Sequence, residues 1–137
     1  MSKWDGAKFE LHDSELEAVE WTGRDVKLTF SMVTHTSDGE AAIDAGETWI
    51  ASGVVSIAGA TVMEGSLEPD DLGGGTLQVA DEEHDNCIPV ALSCTAPIRF
   101  VLETYHGVVV ISGESVRVEM LGEPERCGDF PGTNRRN

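Results

Sequence analysis

Positive charge is the scarcest commodity in this 137-residue sequence: 9 Lys and Arg stand against 25 Asp and Glu, for a net charge of −16. Only three lysines occur, Lys3, Lys8 and Lys27. A field of that sign repels phosphate backbones and anionic membranes, so neither nucleic acid nor membrane is expected as a partner. Cysteine is scarce as well. Cys87, Cys94 and Cys127 make an odd number with no Cys-x-x-Cys pair, which argues against a disulfide framework and for reduced thiols in a cytoplasmic protein. A Cys87–Cys94 bridge is the one pairing whose geometry stays open. Long apolar runs are missing too. The longest, Val108-Val109-Val110-Ile111, falls far short of a membrane span. The opening Met-Ser-Lys-Trp-Asp-Gly has no apolar stretch leading to a small-residue cleavage site, so no secretory signal is expected. Finally, no window carries an apolar i, i+3, i+4, i+7 stripe bounded by caps, which leaves little room for helix.

What is present is period-2 alternation. Residues 15–21 and 26–32 read as two strands around the Thr22-Gly23-Arg24-Asp25 turn, a hairpin with one buried and one wet face. Residues 34–46 read as a loop, 49–58 and 60–64 as strands, and 67–75, with Gly73-Gly74-Gly75, as a flexible turn-rich connection. A short strand at 76–79 precedes an acidic loop at 81–86, and Pro89 marks residues 87–92 as an edge or bulge. Residues 98–105, 108–111 and 116–121 are expected to form a three-stranded meander. Trp21 and Trp49 are expected in the core. The sum is an all-β, single-domain antiparallel sandwich or partly closed barrel of about seven to nine strands, over residues 1–125, with a tail at 126–137.

The chain carries Leu11-His12-Asp13-Ser14 near its start, Asp85-Asn86-Cys87-Ile88-Pro89-Val90 in its middle, and Leu121-Gly122-Glu123-Pro124 near its end. That order resembles a group of small bacterial proteins that open with a His-Asp-Ser element and close with a Gly-Glu-Pro-like segment. The resemblance implies a bacterial β-rich domain and brings no activity with it.

Candidate site residues are few. His12, Asp13 and Ser14 supply the residue types of a hydrolase triad. Three successive strand residues cannot converge, however, and no Gly-x-Ser-x-Gly elbow holds the serine. Their simpler roles are backbone turning by Asp13 and Ser14 and a hydrogen bond from His12 to a neighbouring loop. Asp81, Glu83, Asp85 and His84 crowd oxygen and nitrogen donors into a few positions, but their spacing is not that of an EF-hand, and they are only weak metal candidates. Asn86 is expected to fold onto its own backbone and deliver Ile88 into the sheet. Trp4, an aromatic in a polar segment, either pins the N-terminus or marks a contact surface.

No cofactor is implied. The expected function is a non-enzymatic acidic binding module that meets a basic protein partner, one version being an immunity protein facing a basic toxin; binding residues would be drawn from His12, Asp13, Asp85, Asn86 and Trp4. The alternative is a small-molecule or lipid binder using a barrel interior, with a hydrolase least supported. A monomer or an edge-paired dimer fits the strand-rich surface. An acid-rich, lysine-poor coat would also serve solubility alone.

Overall fold

A computed structural model describes residues 7–36, 48–89 and 92–126. Within them every regular element is a strand and every pairing is antiparallel. The eleven strands are β1 (Ala7–Thr22), β2 (Asp25–Thr36), β3 (Thr48–Ala58), β4 (Thr61–Glu64), β5 (Asp70–Val79), β6 (Glu82–Asp85), β7 (Cys87–Pro89), β8 (Ser93–Cys94), β9 (Ile98–Thr104), β10 (Gly107–Gly113) and β11 (Ser115–Arg126). They run in the order β4-β10-β9-β5-β1-β2-β3-β11-β8, with β6 added to β5 and β7 added to β1. The two ends of that path do not pair, so the result is a folded-over sandwich rather than a closed barrel. One layer is β7-β1-β2-β3-β11-β8, here called the hairpin layer, and the other is β4-β10-β9-β5-β6, here called the glycine layer. They meet where Glu15 and Leu16 pair with Asp71 and Asp70.

Alternation fills the space between the layers. Phe9, Leu11, Leu16, Val26, Leu28, Phe30, Val55, Ile57, Val116 and Val118 point in from the hairpin layer. Leu72, Leu77, Val79, Ile98, Phe100, Leu102, Val109 and Ile111 meet them from the glycine layer, and Ile88 lies among them. The Phe9 and Phe30 rings sit 6.0 Å apart at a tilt of 36°, within the range favoured by aromatic pairs.

Several expectations change. The acidic stretch at 81–86 is largely strand β6, because Thr76, Leu77, Gln78 and Val79 take Asp85, His84, Glu83 and Glu82 as partners. The triple glycine is no flexible turn. It lies within β5, where Gly74 holds φ +152° at a bulge and a Cβ on Gly75 would run into the Val101 carbonyl and Leu11 Cδ1. Glycine is what lets β5 approach β9 and the core so closely. The three-stranded meander fails at its third strand. β10 pairs with β9 and β4, and the chain then turns through Gly113 and Glu114 so that β11 pairs with β3. Trp21 is 46% exposed instead of buried. It stands opposite Val26 on the inward side, but at the turn end of the hairpin, where little packs over it. The loop expected at 34–46 begins later than that, since β2 runs through Thr36; residues 37–47, the side chain of Trp49, and residues 127–137, which hold nearly all of the expected tail, lie outside the described residues.

Two bulges explain why β1 is 16 residues long when only its second half reads as a strand. Residues 11–14 face only Met32 between the Glu10–Val33 and Glu15–Ser31 pairs, and Glu17 is inserted between the Leu16–Phe30 and Ala18–Thr29 pairs. Each insertion resets the alternation, which allows Leu11 and Ser14, and then Leu16 and Val19, to share the inner face at a spacing of three.

Gly75→Ala should therefore destabilise the fold by about 1–3 kcal/mol through overpacking. Gly73→Ala, whose added Cβ meets only the Glu103 carbonyl oxygen at 3.7 Å, should stay within about 0.5 kcal/mol of the parent. Urea denaturation midpoints of the two variants measure the difference.

Candidate functional site

The wide bulge of β1 is where the sequence candidates gather. Asn86 sits between β6 and β7 with φ +66°, a left-handed conformation that Asn tolerates better than most residues. This residue carries the chain from the glycine layer into the hairpin layer. Its N–H donates to the Gly75 carbonyl at 2.9 Å, and its own carbonyl accepts from the Leu11 N–H at 2.7 Å. Its Oδ1 accepts from the His12 N–H at 2.9 Å, and its Nδ2 donates to Glu10 Oε2 at 3.4 Å. The expected local fold-back of the Asn86 side chain is thus replaced by a bond across 74 positions of sequence. His12 does bond a neighbouring segment, as anticipated, through its backbone.

Ser14 is 2% exposed, and its hydroxyl donates to the Glu10 carbonyl at 2.6 Å. That bond satisfies a buried polar group across the bulge and leaves the hydroxyl out of reach of any substrate, which removes the proposed nucleophile. Asp13 shares the bulge, but its side chain lies outside the described residues, as does Trp4. Cys87 follows Asn86 and is half-buried; burial pushes its thiol pKa up, and the Glu10 carboxylate adds to the effect. Such a thiol is a poor nucleophile at neutral pH. Cys87 and Cys94 are both free.

The metal candidates are separated by strand alternation. Glu83 and Asp85 point outward from β6, whereas His84 stands opposite inward-facing Leu77. His84 Nε2 is buried 3.6 Å from Glu82 Oε1, and Asp81 lies exposed in the β5–β6 turn. No group of three or more His, Cys, Asp or Glu side chains converges for a metal ion among the described residues.

The structure brings Glu83 and Asp85 instead into a broad outer face of the glycine layer. One cross-strand row runs Glu64, Val110, Val101, Thr76, Asp85. The next runs Thr61, Ser112, Arg99, Gln78, Glu83, and a third places Val108 beside Glu103. Four exposed carboxylates, those of Glu64, Glu83, Asp85 and Glu103, thus lie around exposed Val108 and half-buried Val101, with Val110 buried beside them and Arg99 as the one cation in these rows. The Asn86 corner adjoins this face. A Cβ on Gly74 would lie 3.2 Å from Glu103 Oε1 and 3.8 Å from Asn86 Oδ1. The hairpin layer is different: Glu20, Lys27 and Arg117 share one row, and Arg117 Nη2 is 3.1 Å from Glu119 Oε2.

Sequence reasoning missed one more polar unit. The β9–β10 turn places His106 Nδ1 2.6 Å from Asp70 Oδ2, and the His106 N–H donates to the same oxygen at 3.2 Å. Asp71 N–H donates to Asp70 Oδ1 at 2.8 Å. Asp70 also pairs with Leu16 at the meeting of the two layers, so the pair ties the turn to that joint. Each partner's hydrogen bond to the other is the main cause of its shift, which lowers the Asp70 pKa and raises that of His106. The two residues are 36 positions apart, and no local pattern announces them.

Comparison with models of protein families, with curated proteins and with solved structures gave no match, so function is read from geometry alone. Among the described residues no helix is long and apolar enough to cross a membrane.

Two outcomes follow. Asn86→Gly keeps the left-handed backbone but loses the side-chain bonds, so it should destabilise by about 0.5–1.5 kcal/mol. Asn86→Ala should cost about 1 kcal/mol more, because alanine also strains the corner. Thermal or urea unfolding ranks the two. The His106–Asp70 pair also predicts a pH window. The raised His106 pKa adds stability that is complete below the unfolded imidazole value and is lost as pH rises through the folded value. The lowered Asp70 pKa adds stability present above the unfolded carboxylate value and lost as pH falls through the folded one. The gap between the parent and Asp70→Asn should thus be widest between the ordinary values of 3.8 and 6.5. Urea midpoints at about pH 5 and about pH 9 test this, with the narrower gap expected at the higher pH.

Proposed function

We propose that this protein is a non-enzymatic binding module whose acidic outer face on the glycine layer meets a basic surface of a partner protein. The observation that carries the reading is how the exposed carboxylates of the glycine layer are grouped by row around Val108 and Val101. Solubility is served by carboxylates placed anywhere on the surface. Here Glu64, Glu83, Asp85 and Glu103 lie in adjoining rows whose one cation is Arg99, while on the hairpin layer one row sets Lys27 and Arg117 beside Glu20. Exposed Val108 and half-buried Val101 give that face an apolar centre with a charged rim, the general anatomy of a protein contact. Charge at the rim steers encounter and selects against acidic partners.

The competing readings have less to stand on. A ligand held inside a barrel requires a closed barrel, and the strand path is open, with its interior occupied by packed side chains. A hydrolase built around His12, Asp13 and Asp85 would have to activate water, because Ser14 is buried and committed to the Glu10 carbonyl and cannot serve as its nucleophile. The reading assigns the protein to a bacterial cytoplasm, where unpaired Cys87 and Cys94 stay reduced.

The test compares two variants that each remove four negative charges. One carries Glu64→Gln, Glu83→Gln, Asp85→Asn and Glu103→Gln; the other carries Glu15→Gln, Glu17→Gln, Glu20→Gln and Glu119→Gln on the hairpin layer. Immobilised parent protein should retain basic proteins from a bacterial extract at about 50 mM salt and release them at about 500 mM. The first variant should retain about tenfold less, and the second should retain nearly as much as the parent. Equal retention by both variants would mean that total charge, not this face, governs binding.

A further inference from the structure

Four short strands lie at sheet edges: β4, β6, β7 and β8. An exposed edge presents unpaired N–H and C=O groups to any extended chain, and native proteins usually block it. Three of these edges carry a block. β6 is Glu-Glu-His-Asp, whose carboxylates oppose pairing with a copy of itself. β7 ends in Pro89, which has no N–H to donate, and β8 is two residues long. β4 has neither a proline nor a run of carboxylates, and its one irregularity is a bulge. It reads Thr-Val-Met-Glu, begins with two β-branched residues, and pairs only with β10 among the described residues. Met63 is the inserted residue between the Val62–Ile111 and Glu64–Val110 pairs. It is 63% exposed, with Val108 at 43% and Tyr105 at 76% on the neighbouring hairpin. The same edge borders the acidic face, since Glu64 heads the row that ends at Asp85.

We propose that the free edge of β4 accepts an extended, lysine- or arginine-rich segment of the partner protein as an added strand. This rests on the reading of the outer face as a surface for a basic partner, and it names where and how that partner docks. Backbone hydrogen bonds to β4 would supply register and orientation, as in other strand-addition complexes. Glu64 on β4 itself and Glu103 two strands further in would draw in the positive side chains and reject acidic segments. The occupant is a foreign segment rather than a second copy of this chain, because two copies would each bring a net charge of −16 and a Glu64 to the shared edge.

The experiment uses the full chain and three defined peptides: four Lys-Val repeats, four Glu-Val repeats, and the Lys-Val peptide with alternate backbone nitrogens methylated. The expected result is salt-sensitive binding of the Lys-Val peptide, slowed amide exchange confined to residues 61–64, and no binding of the Glu-Val peptide. The methylated peptide, which keeps its charge but cannot pair, should bind at least about tenfold more weakly. Met63→Lys should weaken Lys-Val binding about tenfold, as lysines on natural edges do. Leu121→Lys, which adds the same charge at an exposed site on the hairpin layer, should change binding less than about twofold. If the methylated peptide and the Met63→Lys variant bind normally and remain salt-sensitive, strand addition is overturned while the acidic-face reading stands. If no lysine peptide binds in a salt-sensitive way, both fall. Sedimentation as a dimer, with residues 61–64 protected before any peptide is added, would assign the edge to a second copy and overturn the proposal.

Discussion

One residue, Asn86, bonds both layers through its backbone and side chain, beside the joint where Glu15 and Leu16 pair with Asp71 and Asp70. Asn86 holds Gly75 of β5 through its N–H, Leu11 of β1 through its carbonyl, and the His12 N–H through Oδ1. Residues 11–14 have left the β2 ladder at that point, so their backbone groups need other partners. Asn86 supplies two of them. The constraint works in both directions. Without the bulge, Leu11 and Leu16 could not both face inward, and without Asn86 the bulge would leave donors unmet. The left-handed corner, the missing Cβ of Gly75 and the Oγ bond of Ser14 are the local conditions that let this crossing form.

The outer face follows from the same crossing. Asp85 immediately precedes the corner, and Glu83 shares its side of β6 by simple alternation. Fixing Asn86 therefore fixes which β6 carboxylates face outward and which side chains, His84 among them, turn toward Leu77. On the opposite flank, the chain leaves the hairpin layer through Gly59 and returns to it through Gly113 and Glu114, where the Glu114 N–H donates to the Ala58 carbonyl at 2.8 Å. These turns place β4 beside β10 rather than beside β3. Glu64 reaches the acidic face only because that switch occurs.

Much of this was legible in the sequence where interactions are local. Alternation in residues 26–32 and 98–104 assigned strands and buried faces correctly, since Val26, Leu28, Phe30, Ile98, Phe100 and Leu102 are all buried. Pro89 marked an edge, and the all-β antiparallel class followed from the strand count and the lack of helical periodicity. Two of the failures share one cause: partners distant in the chain. Gly73-Gly74-Gly75 looks like a turn until β9 and Leu11 are seen packed against it. The last strand looks like a continuation of its neighbours because nothing local reveals that β4 has already taken the β10 edge. His12, Asp85 and Asn86 were singled out, and the structure does bring His12 and Asn86 together, yet their bond is between a backbone and a side chain. Glu64 and Glu103 were passed over, since an exposed glutamate on a strand carries no mark of the row it joins.

The charge of the chain has two separable effects once the rows are known. Along β6, Glu82, Glu83 and Asp85 line an edge strand, where mutual repulsion discourages copies of the chain from pairing. On β9 the same sign occurs at a position that no edge requires, where Glu103 lies beside Val108. Edge protection accounts for the first set and leaves Glu103 unexplained. On the glycine layer Glu64, Glu83, Asp85 and Glu103 share adjoining rows with one cation, Arg99. Their concentration around Val108 and Val101 is electrostatically unfavourable for the isolated protein, and a basic partner is the kind of neighbour that relieves it. An acidic composition that by itself excludes partners thus becomes, when resolved into rows, an argument about which face one would meet.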